Sequence, residues 1–163
     1  MANSATGCAS GGGEILQIVY ATKVDTFTLT SATMTDVPGL SVTITPSSAT
    51  SKILILSACC YGSTSNAQSF LNLVKDGSAL IVGDTAGSRT VSTTGMQMSG
   101  AANNNTNSVA ISYLDSPAST IAITYKIQVS SQSTVRINYS IADQNSATNN
   151  RSSSTILAME ISG

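Results

Sequence analysis

Histidine and tryptophan are both absent from this chain, and charged residues make up only 9% of it. Without histidine the commonest general base is missing, so Ser-His-Asp and Cys-His arrangements cannot be built. A glycosidase-type carboxylate pair would have to come from Glu14, Asp25, Asp36, Asp76, Asp84, Asp115, Asp143 and Glu160. Most of these sit in turn contexts, where an Asp side chain caps its own backbone. Glu160 is the one acid within a strand pattern, and its expected place is outward-facing or paired with a lysine or arginine. The run Gly11-Gly12-Gly13 precedes a strand rather than a helix. It lacks the helix N-terminus of a phosphate-binding loop and reads as a hinge. The expectation is a non-enzymatic protein with no catalytic residues, no cofactor and no cofactor-binding or metal-binding residues.

The scarcity of charge removes other classes. Net charge is −1, and the lysines and arginines form no cluster that could neutralise phosphates, so nucleic-acid binding is set aside. The longest apolar run, Ile53 to Tyr61, is interrupted by Ser57 and falls far short of the roughly 20 residues of a membrane span. The start of the chain has neither a basic stretch nor the apolar stretch of a secretory signal, so synthesis in a cytoplasm is expected. Three cysteines, with Cys59 and Cys60 adjacent and Cys8 in the polar head, do not make a disulfide framework; they are expected to be reduced thiols that pack as small apolar residues. Lack of tryptophan removes the usual stacking platform for sugars and leaves such recognition to Asn, Asp and Ser side chains. Asn104, Asn138 and Asn150 begin Asn-x-Ser/Thr sequons, which read as accidental in a chain so rich in these residues.

What the chain has in quantity is a period of two. Ile121, Ile123, Tyr125, Ile127 and Val129 alternate with smaller or polar residues, as do Val135, Ile137, Tyr139 and Ile141. Such alternation marks strands with one buried face. Ser and Thr, about 30% of the residues, fill the intervening positions, and nothing recurs at helical spacing. Strands are expected at 15–20, 26–30, 40–45, 53–61, 70–74, 80–82, 91–98, 108–114, 121–129, 134–141 and 155–161. Turn residues separate them, including Pro38-Gly39, Pro46-Ser47-Ser48, Asp76-Gly77 and Asp115-Ser116-Pro117. Lys75-Asp76-Gly77-Ser78 is a hairpin signal. The fold class expected is all-β, an antiparallel two-sheet sandwich of the jelly-roll kind. The domain organisation expected is a flexible N-terminal arm over residues 1–13, too small and polar to bury a core, followed by one β-domain over 14–163.

Two segments depart from one-sided alternation. Ile53 to Tyr61 is apolar on both faces, and Ile15 to Tyr20 nearly so. Either a loop of the same chain covers the second face or another subunit does. Two such strands in a small antiparallel domain favour the subunit, with Ile15, Val19, Ile53, Leu54, Ile55, Leu56 and Tyr61 as the candidate subunit-interface residues of an oligomer.

The run Val37-Pro38-Gly39-Leu40-Ser41-Val42-Thr43-Ile44-Thr45-Pro46, continuing through Ser47 to Leu56, resembles a module found in virion proteins of tailed bacteriophages, notably aquatic and cyanobacterial ones. Phe70 to Val74, Tyr113 to Pro117, Thr124 to Val129 and the ending Met159-Glu160-Ile161 are similar to the rest of it. The resemblance covers nearly all of 14–163 and implies a trimeric jelly roll of the tumour-necrosis-factor type, found on tail-fibre ends and as small head-decorating or cement proteins. It brings no catalytic motif. Because only a short head precedes the module here, with no fibre shaft, the resemblance implies a capsid decoration or cement protein bound to the major capsid protein on the outer surface of the capsid of a virion assembled in the host cytoplasm. The alternative is a tail-fibre tip or receptor-binding protein that recognises host cell-surface glycans. In the decorating role, Ala2, Asn3, Ser4, Thr6, Cys8 and Ser10 of the arm are the candidate capsid-attachment residues, three linked arms reinforcing one another through effective concentration.

Since the cysteines are read as packing residues, reductant or chelator should leave the melting temperature unchanged. Cys59→Ala or Cys60→Ala should cost roughly 1 kcal/mol in denaturant titrations.

Overall fold

The computed structural model describes residues 13–64, 66–98 and 104–163. The expected arm, with its attachment residues Ala2, Asn3, Ser4, Thr6, Cys8 and Ser10, lies outside the described residues except for Gly13, whose N–H donates to the Ser162 carbonyl at 3.2 Å. The strands are β1 (Ile15–Lys23), β2 (Phe27–Leu29), β3 (Thr35–Ile44), β4 (Lys52–Ser63), β5 (Ser69–Lys75), β6 (Ser78–Leu80), β7 (Thr94–Met96), β8 (Asn107–Asp115), β9 (Ile123–Ser131), β10 (Val135–Ile137) and β11 (Ser154–Ile161). All pairings are antiparallel.

One sheet runs β1-β11-β4-β8. The long β4 carries β8 along one edge and divides its other edge between β11, over Lys52–Ala58, and β10, over Tyr61–Ser63. β2 continues outward from β10. The second sheet runs β3-β9-β5, with β6 and β7 sharing the far edge of β5. Long strands pair first with last (β1 with β11), second with second-last (β3 with β9) and third with third-last (β4 with β8), which is the winding of a jelly roll.

The core follows from period two. Ile123, Tyr125, Ile127 and Val129 of β9, Leu71 and Leu73 of β5, and Leu40, Val42 and Ile44 of β3 face Ile53, Ile55 and Cys59 of β4, Ile111 of β8 and Ile156 and Ala158 of β11. Cys59 is buried, which pushes its thiol up to about 12, while Cys60 points the other way and is half-buried.

Three local expectations need correction. Pro38-Gly39 is not a turn between strands: it forms a bulge within β3, where the register with β9 slips between Asp36 and Ser41. Pro38 is tolerated because β3 is an edge strand, and Gly39 takes φ 83°, open to glycine. The strand expected over 134–141 ends at Ile137, because Asn138 turns into the left-handed region at φ 70°. Glu160 faces the interior rather than solvent and is fully buried, with no lysine or arginine beside it.

Asn138 stops β10 because its side chain is worth more as a bracket than as a strand residue. Its Nδ2 donates to the carbonyls of Lys23 and Asp25 at 2.8 and 2.9 Å, and its Oδ1 accepts from the Ser154 hydroxyl at 2.6 Å. Its N–H donates to the Cys60 carbonyl, and its own carbonyl accepts from Ser152 N–H, both at 2.9 Å. One buried residue thus ties the β1–β2 turn, β4 and the start of β11. With both amide hydrogens engaged, this sequon cannot carry a glycan.

At the other end of the sandwich, one rung of the first sheet reads Gln17, Glu160, Ile53, Asp115, all facing inward. Glu160 accepts from Gln17 Nε2 at 2.5 Å and from the Ser47 N–H and hydroxyl at 2.7 Å each, pinning the turn after β3. Burial pushes its carboxyl up, but these donors together outweigh burial and hold it at about 2. Asp115 accepts from Tyr125 Oη at 2.5 Å and pairs with Lys75 Nζ at 2.7 Å, joining β8 to the opposite sheet. Burial, then Asp115, push the Tyr125 phenol above its usual range.

Glu160 is held below its unfolded value near 4.5, so it stabilises the fold at pH above that value, and the contribution is lost as pH falls towards 2. Glu160→Gln should cost roughly 2 kcal/mol at neutral pH and flatten the acid side of the stability curve, measured by urea titration at successive pH values. Asn138→Ala should cost roughly 3 kcal/mol or more, because it leaves two carbonyls and a hydroxyl buried without donors or acceptors.

Candidate interaction surface

The two buried carboxylates, Glu160 and Asp115, flank Ile53 inside the sandwich, each engaged by its own donors. Among the described residues no group of three or more Cys, Asp or Glu is placed to hold a metal ion. No described helix is long and apolar enough to cross a membrane.

The unusual surface is the outer face of the β1-β11-β4-β8 sheet. Alternation sends Leu16, Ile18, Tyr20 and Thr22 of β1 outward, with Leu157, Met159 and Ile161 of β11, Leu54, Leu56, Ala58 and Cys60 of β4, and Ala110, Ser112 and Leu114 of β8. Register aligns them in rows. Ile18, Met159, Leu54 and Leu114 form one row across four strands, and Tyr20, Leu157, Leu56 and Ser112 the next, followed by Thr22, Thr155, Ala58 and Ala110. Tyr20 is 74% exposed, Ile18 49%, Leu114 47% and Leu56 40%. The rows form one continuous apolar surface without a charged side chain along them, and surfaces of this kind are the ones proteins use for contacts.

The face has relief as well as polarity. Where the third row narrows to Ala58, Ala110 and Thr155, bordered by Leu56, Leu157 and Ser112, the sheet sinks into an open hollow of about 370 Å³. Tyr20, at the β1 side of the same face, stands out from it. The face therefore carries a knob on β1 and a hole centred on β4, about two strand spacings away, or roughly 10 Å.

The candidate interface residues divide by parity. Leu54 and Leu56 lie on this outer face, and Ile15 is exposed at its margin where β1 begins. Ile53, Ile55 and Tyr61 point between the sheets and are core, and Val19 packs against that core. They cannot touch a neighbour without opening the sandwich. Sequence reading did not single out Leu157, Met159, Ile161, Leu114, Ala58 or Ala110. The signal for β8 was present, since Val109, Ile111 and Tyr113 alternate against smaller residues and leave Ala110 and Leu114 on the other side. For β11 the inward Glu160 masked which set was buried.

No protein-family model matches the chain, and no characterised protein sequence matches it. Among solved structures the chain is similar to one in the structure of infectious bursal disease virus Gx strain, with 13% identity and a TM-score of 0.41. The match covers 89% of this chain and 40% of the viral one, so this chain spans about two-fifths of that protein's length.

Proposed function

We propose that this chain is a non-enzymatic structural protein of a tailed-phage virion, a homotrimeric decoration or cement protein bound to the major capsid protein on the outer capsid surface. The observation that carries the reading is the exposed apolar face of the β1-β11-β4-β8 sheet, with knob and hole on one surface. The sequence resemblance to phage head-decorating modules supplies the setting.

A second copy is the occupant this face fits. A ring forms when each subunit offers one patch to the neighbour before it and a different patch to the neighbour after it. Here the β1 side supplies the protruding Tyr20, and the hollow centred on Ala58 of β4 supplies the socket, so a rotation about a threefold axis brings each knob to the next hole. The rows of leucine, isoleucine and methionine around them form the apolar centre of the contact.

Sedimentation equilibrium at micromolar concentration should give three times the 16.6 kDa chain mass. Leu54→Asp or Leu56→Asp, on the outer face, should give folded monomers, because a charge buried without a partner costs several kcal/mol in the assembly but nothing in the free subunit. Ile55→Asp, in the core, should unfold the chain instead. A wild-type monomer overturns the trimer.

The role in the particle is tested by abundance. On a stained gel of purified virions a decoration protein should approach the major capsid protein in copy number. A band present at only a few copies per particle, with antibody labelling at the tail, would replace this reading by the fibre tip.

A further inference from the structure

The excursion between β10 and β11, residues 138–153, carries a half-open hollow of about 260 Å³ lined by Asp143, Gln144, Asn145, Ser146, Asn149, Asn150 and Arg151. Unlike the hollow on the sheet face, it is lined by polar side chains alone. It sits beside Ser154, at the opposite end of β11 from Ile161, and Ile161 is where Gly13 and Ser162 meet. Eight strand residues separate the two ends, or about 25 Å. From this hollow we propose a site for a neutral saccharide, one sugar ring in size, at the end of the domain remote from its termini.

The chemistry of the lining selects the ligand. Arg151 donates to Asp143 Oδ1 at 2.5 Å, so the guanidinium and the carboxylate neutralise each other and leave no net charge to attract an anion or a cation. No apolar side chain is offered to a peptide or a lipid. What remains is a set of carboxamides and a hydroxyl, groups that donate and accept equally. A sugar hydroxyl does the same, and adjacent hydroxyls of one ring match the paired donor and acceptor of an Asn or Gln side chain.

The wall is also held in place before any ligand arrives. Arg151 and Arg136 both stack on the Tyr139 ring, each 4.9 Å from its centroid, and the Tyr139 hydroxyl is bonded to Thr28. Arg136 Nη1 donates to the carbonyls of Ser140 at 3.2 Å and Ile141 at 2.7 Å, fastening the base of the excursion. Asn150 Nδ2 donates to Thr106 Oγ1 at 2.8 Å, joining it to the residue just before β8. Asn149 accepts from the Ser140 hydroxyl through Oδ1, while its Nδ2 is buried and donates to no described group. These bonds hold the frame in place, and preorganisation of this kind lowers the cost of binding a small ligand. The volume falls below the roughly 300 Å³ of pockets for drug-sized ligands, which sets the occupant at a single ring.

The test is an NMR titration of the isotope-labelled full chain with the methyl glycosides of glucose, galactose, mannose and N-acetylglucosamine, each to about 100 mM. At least one should shift the amide and side-chain carboxamide signals of 143–151 in a saturable way, at millimolar affinity. Asn145→Ala and Gln144→Ala, each removing an exposed side chain without a described hydrogen bond, should each weaken that affinity about tenfold or more while the remaining spectrum stays unchanged. No saturable shift with any of the four sugars, shifts confined to other parts of the domain, or undiminished binding in both variants would overturn the site. None of these outcomes depends on the number of subunits or on the place of the protein in a particle.

Discussion

A two-layer sandwich has one interior, and the β1-β11-β4-β8 sheet carries aliphatic side chains enough for two. Every other property of the domain is arranged around that constraint. The inward set packs against β3, β9 and β5 and makes the core. Among the described residues no layer covers the outward set, which lies in register across four strands. Since strand parity is fixed by backbone geometry, the chain cannot hide the second set by sliding a strand: a slip of one residue would expose Ile53 and Ile55 in exchange for Leu54 and Leu56 and bury nothing more.

The ends of the sandwich close by a different means. With few charges available, the domain uses them singly, each within a small set of hydrogen bonds. Asp115 and Glu160 sit on one rung at one end, the first bridging to Lys75 and Tyr125 of the other sheet, the second holding the turn after β3. Asn138 brackets the opposite end. Gly62 lets the chain cross there, since a Cβ at that position would fall 2.6 Å from the Tyr139 carbonyl oxygen. These polar brackets set where the strands stop, while burial of the aliphatic rows sets how they pair.

Strand existence was legible in the residues, because β5, β8, β9 and β11 alternate or run apolar between turn signals. So was the two-faced character of β4. Which of its faces is the interior was not legible: Ile53, Ile55, Ser57 and Cys59 are no more apolar than Leu54, Leu56, Ala58 and Cys60, and only the sheet opposite decides. Glu160 misled for a related reason. A carboxylate within a strand reads as outward unless its donors are known, and those donors, Gln17 and Ser47, are more than a hundred residues away. Pro38-Gly39 carries turn chemistry that the structure uses for a bulge, because β3 at the sheet edge has no partner on the side where Pro38 lacks an N–H. The hollow at 143–151 was visible only as a polar loop; Arg151 in its wall rests on Tyr139, which belongs to the preceding segment.

Because Gly13 and Ser162 meet at one end and the 138–153 excursion lies at the other, the domain has a direction along which it transmits force. A pull that draws residue 13 away from the far loops runs parallel to β1 and loads its hydrogen bonds to β11 in shear, so that the whole ladder from Ile15 to Lys23 must yield together. A pull between the two ends of the domain's own chain would instead open the same ladder one bond at a time, starting at the Gly13–Ser162 contact. The same strands are therefore a strong link for a load carried through the domain and a weak one for a load that parts its termini.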